Sequence, residues 1–357
     1  SISSLCYMNS VIQQLFMIPI FKKSILNLKI NDSEFKLHEK EDVDDLLFQL
    51  IKMFYYLRFS DKSYYNPKSF VFSFKDYDGN PTNPNIQCDA QEFLTRFIEK
   101  VEEKISNTSE RFLCNNILGG TTLQQIICTN TDCKNISERR ESIVYLSLDL
   151  KGNLSLDQCL DKFVGEEKIE DYHCEKCDKK ITHIKKVLID KVPNILILHL
   201  QRIAFNYETF LMEKINDDIS FNSLLNIKRY TVDKNNYDID QEKYDYELIG
   251  IIVHSGTAQY GHYYSVIFSQ DNKNENKVFK FNDISVNETT YEGVKSDFIN
   301  NSEHREYNRS PYMLLYRKKI KNPVLVNIRE IKDNENILNL LKDDKNINIK
   351  DNDINYE

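Results

Sequence analysis

The chain has 357 residues, 41% of them hydrophobic, which is enough to bury one large core or two smaller ones. It carries 47 lysine and arginine residues against 55 aspartate and glutamate residues, and the resulting net charge of −8 argues against a nucleic-acid partner. Its apolar runs are all shorter than the roughly 18 residues of a membrane helix, so we expect no membrane partner, and Ser1–Leu5 does not resemble a secretory signal.

Helices are predicted in the first third of the chain, where apolar residues recur at three- and four-residue steps. The first helix lies just after Cys6, has its apolar face at 11–16 and ends at Pro19. Two more are predicted at 43–54 and 90–101.

From about residue 120 the pattern changes to strands. Helices followed by strands indicate an α+β architecture rather than alternating βαβ units. Surface loops are expected where Asn, Asp and Lys dominate, at 233–243 and 270–276, and the polar tail 321–357 contains one further predicted helix at 331–341. The predicted strands lie at 143–148, 195–200, 246–253, 262–268, 277–281 and 312–316.

Eight cysteines in a chain of this length do not indicate a disulfide scaffold. An intracellular, reducing compartment is the simplest location, and we expect the cytoplasm, with the nucleus as a second possibility. Cys174-x₂-Cys177 has the spacing of a zinc knuckle, and Cys128-x₄-Cys133 is a looser version of it. Four thiolates would close a structural zinc site and leave no open position for catalysis. The alternative is four thiols that hold no metal.

Cys6 lies at or just before the start of the first predicted helix. The partial positive charge of a helix N-terminus favours the thiolate, which is the form of cysteine that attacks a carbonyl carbon. A cysteine in such a position is also commonly a small buried apolar residue. Taken alone, Cys6 leaves both interpretations open.

His262 is the candidate general base, and Asn282 and Asp283 directly follow the strand predicted at 277–281. A general base requires a third group that fixes its ring and tautomer, and an antiparallel pairing could return either residue beside His262. An ordinary strand histidine and an ordinary turn are the alternatives. The order Cys, His, Asn/Asp at the ends of regular elements is typical of a thiol hydrolase.

Several motifs together resemble those of the ubiquitin-specific proteases. They span the chain from Cys6 to Tyr316 in the family's order. Residues 11–15 and the region of Cys174 are most similar to the large fat-facets type. The matching segments are 6–10 (Cys box), 87–93 (Gln-x-Asp-Ala-x-Glu-Phe), 172–177, 254–256 with 261–265 and 281–283 (His box), and 312–316.

The resemblance implies an α+β fold of the papain-like hand type, with thumb, fingers and palm. The catalytic domain would cover residues 1–320, with the thumb at about 1–117, the fingers at about 118–190 with parts of 200–245, and the palm at about 190–320. The implied activity is hydrolysis of the peptide or isopeptide bond after ubiquitin's C-terminal glycine. Ubiquitin and ubiquitinated proteins would be the partners.

The same resemblance assigns the catalytic roles. Cys6 would be the nucleophile, and His262 would deprotonate it and then protonate the leaving lysine amine. Asn282 occupies the third triad position and would orient the imidazole through a hydrogen bond, since its amide carries no charge. Asp283 would assist nearby.

Six substrate contacts are also implied. Asp89 and Glu92 would face basic residues of ubiquitin's tail, although their i, i+3 spacing also makes a helix capping box. Gly261 would let the substrate backbone approach, and His254 would pack beneath the active site. The full set is Asp89, Glu92, Phe205, His254, Gly261 and Tyr263.

Two departures from the family pattern stand out. Ser1 stands where the family has an oxyanion-binding Asn, and Ser3 stands where it usually has Gly. Loss of one oxyanion donor costs roughly 10²- to 10³-fold in rate, so a catalytically weak ubiquitin-binding module is the main alternative. Ile203 replaces one aromatic of the tail channel, whereas Phe205 keeps another. An unrelated papain-like protease is a third alternative, opposed by the finger cysteines and the Asp89 segment.

Overall fold

A computed structural model describes residues 4–28, 45–236, 241–268, 277–298 and 308–319. The chain divides into two compact units. The described part of the first runs to Cys114 and includes the later segment Phe281–Val286. The second covers the described residues of Asn115–Lys280 and those from Asn287 onward. Ser1, Ser3, the loop 270–276 and the helix predicted at 331–341 lie outside the described residues.

Helices build the first unit, as predicted. The helix after Cys6 is confirmed, and Pro19 begins the next helix. The helix predicted at 43–54 begins at Leu46, where the Asp45 carboxylate caps it by accepting from the Phe48 N–H; Val43 lies outside the described residues. The helices are α1 (Cys6–Met17), α2 (Pro19–Leu26), α3 (Leu46–Phe59), α4 (Lys68–Ser73), α5 (Ala90–Ile105) and α6 (Leu113–Leu118), the last of which crosses the unit boundary.

Aromatic side chains fix α1 in this unit. Tyr7 meets Phe93 of α5 edge to face, with ring centroids 5.5 Å apart, and Phe16 meets Phe54 of α3 at 5.2 Å. All four residues are buried. Each buried aromatic ring contributes roughly 1.5–3 kcal/mol, so the helix that starts at Cys6 rests on a well-packed base.

Strands dominate the second unit. Their pairing makes a four-stranded sheet in the order β2-β1-β5-β4, a large sheet in the order β13-β12-β11-β10-β14-β6-β3 with β9 beside β10, and a separate hairpin β7–β8. The strands are β1 (Gly120–Cys128), β2 (Ile136–Ile143), β3 (Leu146–Asp149), β4 (Glu167–Cys174), β5 (Lys179–Lys191), β6 (Ile195–Gln201), β7 (Ile203–Asn206), β8 (Leu211–Lys214), β9 (Leu224–Asn226), β10 (Asp245–Gly256), β11 (Gly261–Phe268), β12 (Val278–Asn282), β13 (Ser285–Thr289) and β14 (Ser310–Lys318).

The large sheet contains the main core of the second unit. Its central strands contribute fully buried aliphatic residues such as Leu198, Ile251 and Leu314. Strand β10 pairs antiparallel with both β11 and β14, while β3 and β6 are parallel. Segregated helices and mostly antiparallel sheets define an α+β fold, as predicted.

Two helices interrupt the strand region, in which the sequence pattern predicts only strands. They are α7 (Leu156–Phe163), which begins at the Ser155 N-cap, and α8 (Tyr291–Phe298). Both add apolar side chains to the core of the large sheet, among them Leu160 and Val294. None of the described helices combines the length and the apolar composition needed to cross a bilayer.

Candidate functional site

Cys6 is the first residue of α1, as predicted, and only 3% of its surface is exposed. The Ser10 hydroxyl donates to the Cys6 carbonyl oxygen at 2.7 Å, which reinforces this first turn. Cys6 is therefore a buried residue at a helix N-terminus, and its role as the nucleophile stays a prediction.

Asn282 and Asp283 belong to the same unit as Cys6, although some 270 residues separate them in sequence. Asn282 is the last residue of β12, and Asp283 follows in the left-handed region with φ 51°. The Asn9 amide donates to the Asp283 carboxylate at 2.9 Å. This hydrogen bond joins α1 to the segment that carries Asn282, a contact between Asn9 and Asp283 that the sequence does not predict.

His262 lies in the second unit, at the start of β11. It pairs in register with Ser255 of β10, and Gly256 pairs with Gly261 where the hairpin turns. The turn is closed by a hydrogen bond from the Thr257 N–H to the Tyr260 carbonyl at 2.8 Å. Gly256 has φ +108°, a conformation that L-residues with side chains rarely adopt. The position of His262 thus follows from the geometry of this hairpin.

His254 lies on β10 and is 2% exposed, and its position beneath the active site stays a prediction. Its ring lies 4.8 Å from the Tyr263 ring, and Tyr263 in turn meets Tyr312 at 5.3 Å. A Cβ atom on Gly261 would lie 2.0 Å from Nε2 of His254. Glycine at position 261 therefore leaves room for the buried His254 ring, a role that the sequence does not suggest. Tyr263 is itself buried, so its role as a substrate contact stays a prediction.

Asp89 caps α5. Its carboxylate accepts from the Gln91 N–H at 2.7 Å and from the Glu92 N–H at 3.2 Å. The capping interpretation is thus confirmed for Asp89. The Glu92 carboxylate lies 3.5 Å from the Arg96 guanidinium, one turn further along the helix. A contact of either residue with ubiquitin stays a prediction.

Phe205 lies on the β7–β8 hairpin, which carries an unusual number of exposed apolar side chains. Its ring meets those of Tyr207 and Phe210, with centroid distances of 5.1 and 6.3 Å. Tyr207 is 80% exposed and Phe210 74%. A group of exposed rings of this kind is typical of a binding surface.

Two buried or half-buried cationic side chains, Lys214 and Arg202, lie at the base of this hairpin, and the sequence does not predict their contacts. Lys214 ends β8, and its Nζ donates to the carbonyl oxygens of His254, Gly256 and Asn308 at 3.0, 3.2 and 2.5 Å. Arg202 is fully buried, and its guanidinium donates to Pro311, Ile215 and Asp217 carbonyls at 2.6, 2.9 and 3.0 Å. Burial and the nearby Arg202 charge lower the pKa of Lys214 to about 7.

The four predicted metal ligands converge at the tips of two adjacent hairpins. Cys128 ends β1 and Cys174 ends β4, and β1 pairs with β5 so that the two turns meet. The four sulfur atoms lie within 4.8 Å of one another, with Cys128–Cys177 at 4.0 Å and Cys133–Cys174 at 3.8 Å.

This geometry fits a metal ion. Four sulfurs at about 2.3 Å from a tetrahedral zinc are separated from one another by about 3.8 Å. Backbone N–H groups, first that of Cys177, lower the pKa of Cys174 to about 5, whereas burial raises the pKa of Cys128 to about 12 and also raises that of Cys133. Support for a metal ion comes from the sulfur geometry. The cluster is therefore able to hold a metal ion with four protein ligands.

Comparison with known proteins identifies the class. The sequence model described as "Ubiquitin carboxyl-terminal hydrolase" matches residues 2–316. The chain belongs to the ubiquitin carboxyl-terminal hydrolase family, which confirms the resemblance to the ubiquitin-specific proteases.

Particular relatives are similar over most of this chain. Ubiquitin carboxyl-terminal hydrolase 24 of Homo sapiens is 33% identical over 310 residues, covering 79% of this chain and 11% of its own length. The probable ubiquitin carboxyl-terminal hydrolase FAF of Drosophila melanogaster is 29% identical over 394 residues, covering 89% of this chain and 14% of its own. The chain thus spans about a tenth to a seventh of the length of these relatives.

A solved structure shares the fold. The SAGA Ubp8/Sgf11/Sus1/Sgf73 DUB module bound to ubiquitin aldehyde contains a chain that matches with a TM-score of 0.69 and 26% identity, over 90% of this chain and 69% of that one. The predicted α+β fold of the ubiquitin-specific proteases is confirmed.

Proposed function

We propose that this chain is a thiol-dependent deubiquitinase that hydrolyses the bond after the C-terminal glycine of ubiquitin. The observation that carries the proposal is Cys6, buried at the first turn of α1 within the segment matched by the family. Relatives are named ubiquitin carboxyl-terminal hydrolases, and a structural neighbour is bound to ubiquitin aldehyde. Membership of the family removes the unrelated papain-like alternative.

The proposed reaction has two halves. The Cys6 sulfur attacks the carbonyl carbon of ubiquitin's terminal glycine after His262 has taken its proton, and the C–N bond breaks as His262 protonates the leaving lysine amine. Water, deprotonated by His262, then attacks the thioester and releases ubiquitin's carboxylate and the Cys6 thiol. Asn282 orients the imidazole, and Asp283 assists through the segment that Asn9 holds.

The test is steady-state hydrolysis of a fluorogenic C-terminal ubiquitin amide by the parent chain and by Cys6→Ala. Turnover that disappears in Cys6→Ala supports the proposal. A folded parent that binds ubiquitin without turnover would overturn it and leave the weak binding module, which Ser1 and Ser3 favour. A ubiquitin probe with an electrophilic C-terminus gives the same distinction, since only an active Cys6 forms an adduct.

We further propose that Cys128, Cys133, Cys174 and Cys177 hold a structural zinc ion. The support is the sulfur geometry, which matches a tetrahedral site with no open position. The ion would tie together the two hairpins and take no part in the chemistry at Cys6. Elemental analysis finding no zinc in active protein would contradict this.

The proposed location is the cytoplasm, with the nucleus as a second compartment, and the proposed partners are ubiquitin and ubiquitinated proteins. The support is that none of the eight cysteines, each within the described residues, forms a disulfide, as a reducing compartment allows. Fractionation of cells expressing the tagged full-length protein would test the location.

A further inference from the structure

Strand β14 stops pairing with β10 just before the turn of the β10–β11 hairpin, which carries His262. The pairing of these strands ends at His254 and Ser310, whereas β10 continues to Gly256. Ser255 and Gly256, the last two residues of β10, lie beyond this pairing and pair with His262 and Gly261 of β11. Backbone carbonyls at such a strand end can accept from side-chain donors.

Lys214 supplies those donors. Its ammonium lies 3.0 and 3.2 Å from the carbonyl oxygens of His254 and Gly256, which flank Ser255, the register partner of His262. The third acceptor is the carbonyl of Asn308, two residues before β14 begins. An ammonium has three N–H donors, so these three carbonyls satisfy it fully. The side chain is half-buried, which strengthens each contact relative to one in water.

A second contact links the same two hairpins. The side-chain amide of Gln259, at the tip of the β10–β11 turn, donates to the Met212 carbonyl of β8 at 2.8 Å. The β7–β8 hairpin, with its exposed rings at Tyr207 and Phe210, is thus fastened to the His262 hairpin at both its base and its middle.

We infer that Lys214 is a positioning residue for His262, acting through the backbone of β10 rather than through contact with the reacting atoms. This rests on the proposed function of His262 as general base. A general base that is displaced by about 1 Å loses on the order of 100-fold in rate, so support of its hairpin is a requirement of the chemistry.

The test compares Lys214→Met, which keeps the length and loses the donors, with Lys214→Arg, which keeps the charge. Lys151→Met is the control, since Lys151 is an exposed lysine of the same unit. We expect Lys214→Met to lower kcat about 10- to 100-fold with KM changed less than about twofold, Lys214→Arg to recover part of kcat, and the control to match the parent. A raised KM with unchanged kcat would assign Lys214 to ubiquitin binding and overturn the inference.

Amide hydrogen exchange tests the positioning without any turnover. Exchange at residues 254–262 should become faster in Lys214→Met and stay unchanged in the first unit. Unchanged exchange in the hairpin, or an equal increase throughout the chain, would overturn the inference. Since this measurement does not need activity, it distinguishes failure of the inference from failure of the proposed function. If Lys214→Met does not fold, Lys214→Gln, which retains two donors, takes its place in both measurements.

Discussion

The Asn9 amide donates a hydrogen bond to the Asp283 carboxylate, joining residues 274 positions apart in the chain. Asn9 lies one turn after Cys6, and Asp283 directly follows Asn282. This contact connects the segment that carries the third triad candidate to the helix of the nucleophile within a single compact unit. Asp283 adopts φ 51°, where Asn and Asp are the non-glycine residues best tolerated.

The Asn9–Asp283 hydrogen bond can be tested by exchanging its donor and its acceptor. Loss of one such partly exposed hydrogen bond corresponds to roughly 1 kcal/mol, so Asn9→Ala should lower kcat/KM about three- to tenfold. Asn9→Asp should be worse, because two carboxylates then face each other. The double variant Asn9→Asp/Asp283→Asn exchanges donor and acceptor and should recover activity to the level of Asp283→Asn alone. Kinetics showing no recovery in the double variant would contradict a direct contact.

Asp89 can be tested for its two roles separately. Asn caps a helix as well as Asp does, so Asp89→Asn should keep the stability, whereas Asp89→Ala should lose about 1 kcal/mol. If Asp89 also faces the basic tail of ubiquitin, both variants should bind ubiquitin more weakly. Urea denaturation and ubiquitin titration, in a Cys6→Ala background, measure the two effects. Unchanged ubiquitin affinity in Asp89→Asn would leave Asp89 as a cap alone.

Gly261→Ala should destabilise the second unit. The added methyl group would lie 2.0 Å from Nε2 of the buried His254 ring, and overpacking of this kind typically costs about 1–3 kcal/mol. The double variant Gly261→Ala/His254→Ala removes the clash, so its loss of stability should be smaller than the sum of the single losses. Additive losses in thermal denaturation would show that the ring is not what excludes a side chain at position 261.

Removal of one thiolate should empty the proposed zinc site. We expect about one zinc ion per parent chain and close to none in Cys174→Ser, because a structural site needs its four ligands. Cys88→Ser, outside the cluster, is the control and should keep its zinc. Chelation should lower the melting temperature and the ubiquitin affinity rather than abolish labelling of Cys6. Loss of labelling before any loss of ubiquitin binding would contradict a purely structural role.

The pKa of Lys214 gives a stability prediction with a definite sign. Burial and the Arg202 charge lower this pKa from 10.5 to about 7 in the folded state, so between these two values the unfolded chain binds the extra proton. Proton release on folding means that the contribution of Lys214 to stability increases as the pH rises through this range. The free energy of unfolding of the parent, relative to Lys214→Met, should increase between pH 7 and pH 10. A difference that does not vary with pH would contradict the lowered pKa.

Sequence patterns succeeded where local periodicity decides the structure. The continuous apolar run that became β6 and the capped amphipathic run of α5 are two examples. Spacing alone also predicted the cysteine cluster, because two close pairs imply two turns. The eight-residue helix α7 was missed, since a helix of two turns among strands gives too short a periodic signal.

The sequence could not predict Lys214 or Asn9 as parts of the site. A lysine normally indicates a solvent-exposed side chain, and the carbonyl acceptors of Lys214 lie 40 to 94 residues further along the chain. Backbone carbonyls carry no sequence signature. The contact from Asn9 to Asp283 spans most of the described chain, and only the fold brings such partners together.

The first unit includes the distant segment Phe281–Val286, and this has a consequence for synthesis on the ribosome. The helices up to α5 emerge early, yet the partner of Asn9 is made more than 270 residues later. At about 5–20 residues per second this interval is roughly 15 to 55 s. During that time the nascent first unit lacks this segment. Chaperone dependence and sensitivity to C-terminal truncation should therefore extend to the unit that carries Cys6.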